Sequence, residues 1–125
     1  MKQTILVDIG IIVEYLKTGK GLLPKAYENY KMQIVSSTYV ELLSSQTFQN
    51  PELEKEVLDF LHKYFEVISV DEKIAQSAAK VIREHEKTLA VSLLAGAAIT
   101  NSLEVLTDKK KDFEGIEGVT LVDLK

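Results

Sequence analysis

Three carboxylates stand where an apolar, strand-like run gives way to something else: Asp8 after Ile5-Leu6-Val7, Glu41 shortly after Ile34-Val35-Ser36-Ser37, and Asp108 after Val105-Leu106-Thr107. Ligands of an open parallel sheet bind beyond the carboxyl ends of its strands, so acids that follow different strands converge there although they are far apart in sequence. A cluster of like charges needs a cation, and an all-oxygen donor set selects a hard ion such as Mg2+ or Mn2+. The chemistry this implies is phosphoryl hydrolysis. Next to Asp108, Lys109 and Lys110 open a lysine run placed to neutralise phosphates.

Each of these residues also has a purely structural reading. Asp8 is suited to cap a helix starting at Ile9, and Thr38-Tyr39-Val40-Glu41 has the form of a capping box, in which the glutamate reaches back to the first amide. Asp108 and Asp112 fit turn or cap positions, and Lys109-Lys110-Lys111 fits a solvated turn. The joint placement of the acids after strands is what favours a site.

The elements that would position them alternate along the chain in the manner of a βαβ sheet. Strands are predicted near 4–7, 33–36, 66–70, 103–106 and 119–122. Between them, Leu53, Val57, Leu58, Leu61 and Phe65 recur at helical spacing, as do Ile74, Ala78, Val81 and Ile82, each giving one apolar stripe to lay on a sheet. Residues 89–99 are apolar on every side and rich in small side chains, which predicts a buried, closely packed helix. The expected fold class is α/β, three layers α/β/α around a central parallel sheet of about five strands. With no linker, repeat or low-complexity tract, residues 1–125 read as a single domain.

Composition narrows the functional classes. The 125 residues are 46% apolar and 27% charged, as in ordinary globular proteins, and no apolar run approaches the ~20 residues of a membrane span. No basic leader is evident, so the expectation is a cytoplasmic protein without membrane contact. There is no cysteine and only His62 and His85, which excludes disulfides and disfavours zinc. The net charge of −4 argues against binding nucleic acid through bulk electrostatics. The acidity lies mainly in the middle, however: residues 1–49 carry a net +1, 50–88 carry −3 and 89–125 carry −2.

The segment Ile5-Leu6-Val7-Asp8-Ile9-Gly10-Ile11-Ile12-Val13-Glu14-Tyr15-Leu16 resembles the first strand, leading aspartate and first helix of the PIN domains, particularly the small VapC-type toxins of prokaryotic toxin–antitoxin pairs. Ser36-Ser37-Thr38-Tyr39-Val40-Glu41-Leu42-Leu43 is similar to that family's second acidic motif. Leu94-Ala95-Gly96-Ala97-Ala98-Ile99, Leu103-Glu104-Val105-Leu106-Thr107-Asp108, Lys111-Asp112-Phe113 and Gly118-Val119-Thr120-Leu121-Val122 follow the order and spacing of its carboxyl-terminal third. The resemblance spans nearly the whole chain. It implies a PIN-like fold, an endoribonuclease dependent on Mg2+ or Mn2+ that cuts single-stranded or loop RNA, and a homodimer held by an antitoxin peptide. Asp8, Glu41 and Asp108 would be the catalytic and metal-binding residues, with Lys109 and Lys110 on the RNA. Tyr15, Tyr27 and Tyr30 on the first helical hairpin would suit the antitoxin surface or the core.

The chain also departs from that pattern. The first motif is usually Asp-Thr-Asn or Asp-Ser-Asn, and here it is Asp8-Ile9-Gly10. The third acid opens the Ala-rich helix, and counting back from Leu103 places Val91 there, with Ser92 the nearest polar neighbour. The fourth position falls at Asp108 or Lys109, with Asp108 the better candidate and Asp112 a reserve metal ligand. Glu84 and Glu86, at the end of the preceding helix, are the nearest substitutes for the missing acid. The alternative to an active nuclease is therefore a catalytically silent PIN-like module that binds RNA or a protein partner. A phosphoacceptor receiver is a more distant alternative, because no acid pair precedes Asp8 and Asp71 lacks the expected surroundings.

Overall fold

The computed structural model describes residues 1–124. Strand β1 (Gln3–Val7) leads into α1 (Ile9–Thr18) and α2 (Leu23–Asn29). Strand β2 (Tyr30–Val35), helix α3 (Ser37–Leu43) and a 3-10 turn (Gln46–Gln49) follow. Then come α4 (Pro51–Tyr64), β3 (Glu66–Ile68), α5 (Glu72–His85), α6 (Leu89–Asn101), β4 (Glu104–Leu106) and α7 (Lys110–Phe113). The four strands pair in the order β3-β2-β1-β4, all parallel.

Alternation along the strands divides the core in two, because successive side chains of a strand point to opposite faces. Ile5, Val7, Met32, Ile34 and Leu106 join residues of α1, α2, α3 and α4 in one cluster. Leu6, Val35 and Val105 join α5, α6 and α7 in the other. The result is the expected three-layer arrangement. Local signals start the covering helices. Asn50 caps α4 by accepting from the amides of Glu52 and Leu53, with Pro51 in the first turn, and Asp71 caps α5 by accepting from Ile74 N–H at 2.9 Å. Helix α6 buries Ser92, Leu94, Ala95, Gly96, Ala97 and Ala98 and packs on α5 through Gly96, where a Cβ would fall 2.9 Å from both Ala78 N and Ile74 O.

The expected sheet of about five strands is corrected to four. Residues 119–122 contribute a single parallel bridge, Val105 to Leu121, closed by Val105 N–H on Thr120 O and Val122 N–H on Val105 O. The cause lies in the length of β4. In a three-residue strand only the middle residue turns its amide and carbonyl to the outer edge, while the Leu106 carbonyl is taken by the Asp8 amide at 2.9 Å on the inner side. Val122 is nonetheless buried in the core, so the segment packs without extending the sheet. Strand β3 also stops at Ile68, short of residue 70. Among the described residues no helix is long and apolar enough to cross a membrane.

Candidate functional site

Strands β2, β1 and β4 are neighbours, so the residues that follow them share one edge of the sheet. Asp8 leaves β1 as the N-cap of α1, and its Oδ1 accepts from Ile9 N–H at 2.8 Å. The cap and the pocket are thus one residue. The other carboxylate oxygen, Oδ2, accepts from the Thr107 hydroxyl at 2.7 Å. Thr107 follows β4, is buried, and its Oγ1 in turn accepts from Lys109 N–H at 3.0 Å.

Burial, more than any other influence, pushes the Asp8 carboxyl above its ordinary value of 3.8. The Thr107 and Ile9 hydrogen bonds pull it back, the Asp108 carboxylate raises it, and Lys109 lowers it. Glu41 is raised for a similar reason: burial first, then the charge of Asp8, with Lys109 again opposing. Asp108 and Lys109 therefore lie within electrostatic reach of Asp8, and Asp8 and Lys109 within reach of Glu41. The capping-box alternative for Glu41 does not form. Helix α3 begins at Ser37, so Thr38 is already helical, and no capping hydrogen bond reaches back to it. Ser36 turns its hydroxyl elsewhere and accepts from Val70 N–H at 3.1 Å.

The remaining candidates sit apart from this group. Asp112 and Lys110 are on α7, and neither is among the charges acting on Asp8 or Glu41. Val91 lies in the first turn of α6 and packs half-buried against the second core cluster. Its neighbour Ser92 is fully buried, with a hydroxyl that has no partner among the described residues. Glu84 pairs with Lys80 at 4.0 Å on the exposed side of α5, and Glu86 is that helix's left-handed C-cap. Neither supplies charge to Asp8 or Glu41. Thr107 was missed by residue type, although its place between a strand and an aspartate was a usable signal.

Among the described residues, no three His, Asp or Glu side chains gather closely enough to hold one ion together. Such a sparse donor set could at most take a largely hydrated magnesium or manganese ion, which needs only one or two carboxylates and keeps several waters. Beside Glu41 runs a groove of about 650 Å3 between α1, α3 and α4. Ile9, Val13, Leu42, Phe48, Val57 and Phe60 make it apolar, and Glu41 stands in its wall. Of the three tyrosines, Tyr15 stacks on Phe60 with ring centroids 5.7 Å apart, Tyr30 is half-buried, and Tyr27 is 51% exposed.

No protein-family model and no curated protein matches the chain. Solved structures do match its fold. A chain of VapBC2 from Rickettsia felis bound to a DNA fragment from its promoter superposes with a TM-score of 0.79 at 20% identity, covering 96% of this chain and 98% of that one. DNA-bound VapBC from Salmonella typhimurium gives 0.78 at 22% identity, with 98% of both chains covered. A toxin–antitoxin complex from Klebsiella pneumoniae gives 0.76 at 24% identity, covering 93% and 95%. The fold is that of a VapC-type PIN domain.

Proposed function

We propose that this protein is a metal-dependent endoribonuclease of the VapC toxin type, acting on single-stranded or loop RNA. The observation that carries the reading is the Asp8 carboxylate. It is largely withdrawn from water and fixed through both oxygens, its pKa is raised by the charge of Asp108, and its own charge raises that of Glu41. A structural cap needs only one of those oxygens.

In this reading Asp8 holds Mg2+ or Mn2+ directly, with Glu41 and Asp108 as ligands directly or through water, and Asp112 in reserve on α7. When bound, such an ion supplies a Lewis acid that polarises a phosphodiester oxygen and acidifies a coordinated water. Thr107 and the first amide of α1 keep the Asp8 carboxylate ionised and aimed. Lys109, and Lys110 one residue on, offset the charge of the incoming phosphates. The apolar groove walled by Glu41 suits an amphipathic segment of an antitoxin, which would cover Glu41 as it docks. The likeness to chains of VapBC complexes supports that partner, and a homodimer is proposed with it.

A second reading has its own support. Val91 puts hydrocarbon in the first turn of α6 and, among the described residues, no three acids gather to hold one ion, which favours a silent PIN-like module that keeps only RNA or partner binding. Calorimetric titration of Mn2+ into chelator-stripped protein, with Asp8→Asn as control, separates the two. Binding lost in Asp8→Asn, together with RNA cleavage that a chelator abolishes, supports the nuclease. No binding at millimolar metal leaves the silent module.

A further inference from the structure

We infer that Gly10 is a positioning residue that holds the Asp108 carboxylate in the acidic site by leaving the space it occupies. The inference rests on the nuclease reading for its chemistry and on geometry for its existence. A Cβ built on Gly10 would lie 2.8 Å from both Cγ and Oδ2 of Asp108, and closer still to Oδ1. The carboxylate therefore seats against the bare backbone of the first turn of α1, where Asp108 acts on the charge of Asp8.

Nothing else accounts for glycine at this position. Gly10 is not among the residues with positive φ, so its backbone does not need it, and glycine is a poor helix former. The closest conflict with a side chain at residue 10 is with the end of an exposed aspartate, which can rotate into solvent. A larger residue would then leave the fold intact and remove an acid from the site. Seen from the first motif, the Asp108 carboxylate fills the place that a side chain at residue 10 would take, so a polar group absent from α1 arrives from the turn after β4.

The test compares Gly10→Ala, Asp108→Ala and the double variant with the parent chain. Three-bond couplings that report the Asp108 χ1 rotamer are expected to change in Gly10→Ala, with a melting temperature no lower than the parent's. Mn2+ affinity is expected to fall about tenfold in Gly10→Ala, the scale of losses on disturbing a site's supporting groups. The double variant should bind no more weakly than Asp108→Ala, because the two changes remove one interaction. Unchanged Asp108 couplings overturn the inference, as does a double variant whose affinity loss is the product of the single ones. If Gly10→Ala fails to fold, the double variant decides: recovery on removing Asp108 supports the overlap, and failure of both refutes it. A rotamer change in a parent chain that binds no Mn2+ leaves the positioning intact and defeats the nuclease reading alone.

Discussion

The buried hydroxyl of Thr107 donates to Asp8 Oδ2 at 2.7 Å while accepting from Lys109 N–H at 3.0 Å, tying the end of β1 to the turn after β4. One side chain thereby orients both the buried acid and the backbone that carries Asp108 and Lys109.

Replacing it by Thr107→Val keeps the shape and removes the donor. The Asp8 carboxyl should rise further, because this bond opposes the effect of burial. Stability should fall by about 1.5–3 kcal/mol at neutral pH, the range for a lost hydrogen bond to a charged group. Thr107→Ser should restore both. Carboxyl NMR titration and thermal melts check this, and a valine variant with an unchanged Asp8 titration would remove Thr107 from the site.

Asp8→Asn should stabilise the protein at neutral pH by about 1 kcal/mol, a common result when a functional residue is strained for its role. Asparagine still caps α1. The sign follows from the raised folded value. Protonated Asp8 favours the folded state, and that contribution is full below the ordinary 3.8 and is lost as pH rises through the raised value. The stability gap between variant and parent should therefore close as pH falls toward 3.8. Melting curves across acidic to neutral pH read it directly. A gap that widens on acidification would contradict the assignment.

Mn2+ affinity should climb with pH while the raised carboxyls of Asp8 and Glu41 ionise, then level off, since the ion must displace their protons. Calorimetry in buffers of different ionisation enthalpy would count the released protons, and pH-independent binding would place the ion elsewhere.

Val91→Asp tests whether the first turn of α6 reaches the acids. Half-buried and packed on the second cluster, the new carboxylate should cost about 1–2 kcal/mol of stability. Mn2+ affinity should rise about tenfold if it joins the ligand set. Lost stability without tighter binding would show that residue 91 faces only the core.

Two changes within α6 should move stability in opposite directions. Gly96→Ala drives a methyl against the backbone of α5, whose Ala78 N and Ile74 O cannot rotate away, and should cost about 1–3 kcal/mol despite the better helix propensity. Ser92→Ala deletes a buried hydroxyl that has no partner among the described residues and should gain up to about 1 kcal/mol. Denaturant midpoints measure both.

Much of the architecture was legible in residue pattern. Apolar stripes at helical spacing placed α4 and α5, and the all-round apolar, small-residue run marked α6 as a buried helix. Short β-branched runs marked β1 to β4 to within a few residues. The fifth run did not become a strand. Its composition is as strand-like as the rest, but whether it pairs depends on how many outward groups β4 offers, which is a property of the neighbour. The capping box at Glu41 failed for a related reason: helix α3 starts at Ser37, where the chain leaves β2, so the local motif lost to the tertiary start point.

The sequence by itself determined the alternation of strands and helices, the parallel order that this implies, and the placing of Asp8, Glu41 and Asp108 after separate strands. These follow from periodicity and chain direction, which are local. Only the tertiary structure decided that Thr107 grips Asp8, that Asp108 rests against Gly10, and that Asp112, Glu84 and Glu86 stand outside the charges felt by Asp8. Those relations join residues from opposite ends of the chain, or depend on how far a side chain must reach across the sheet edge. Such distances are set by register and packing, and no spacing within one segment encodes them.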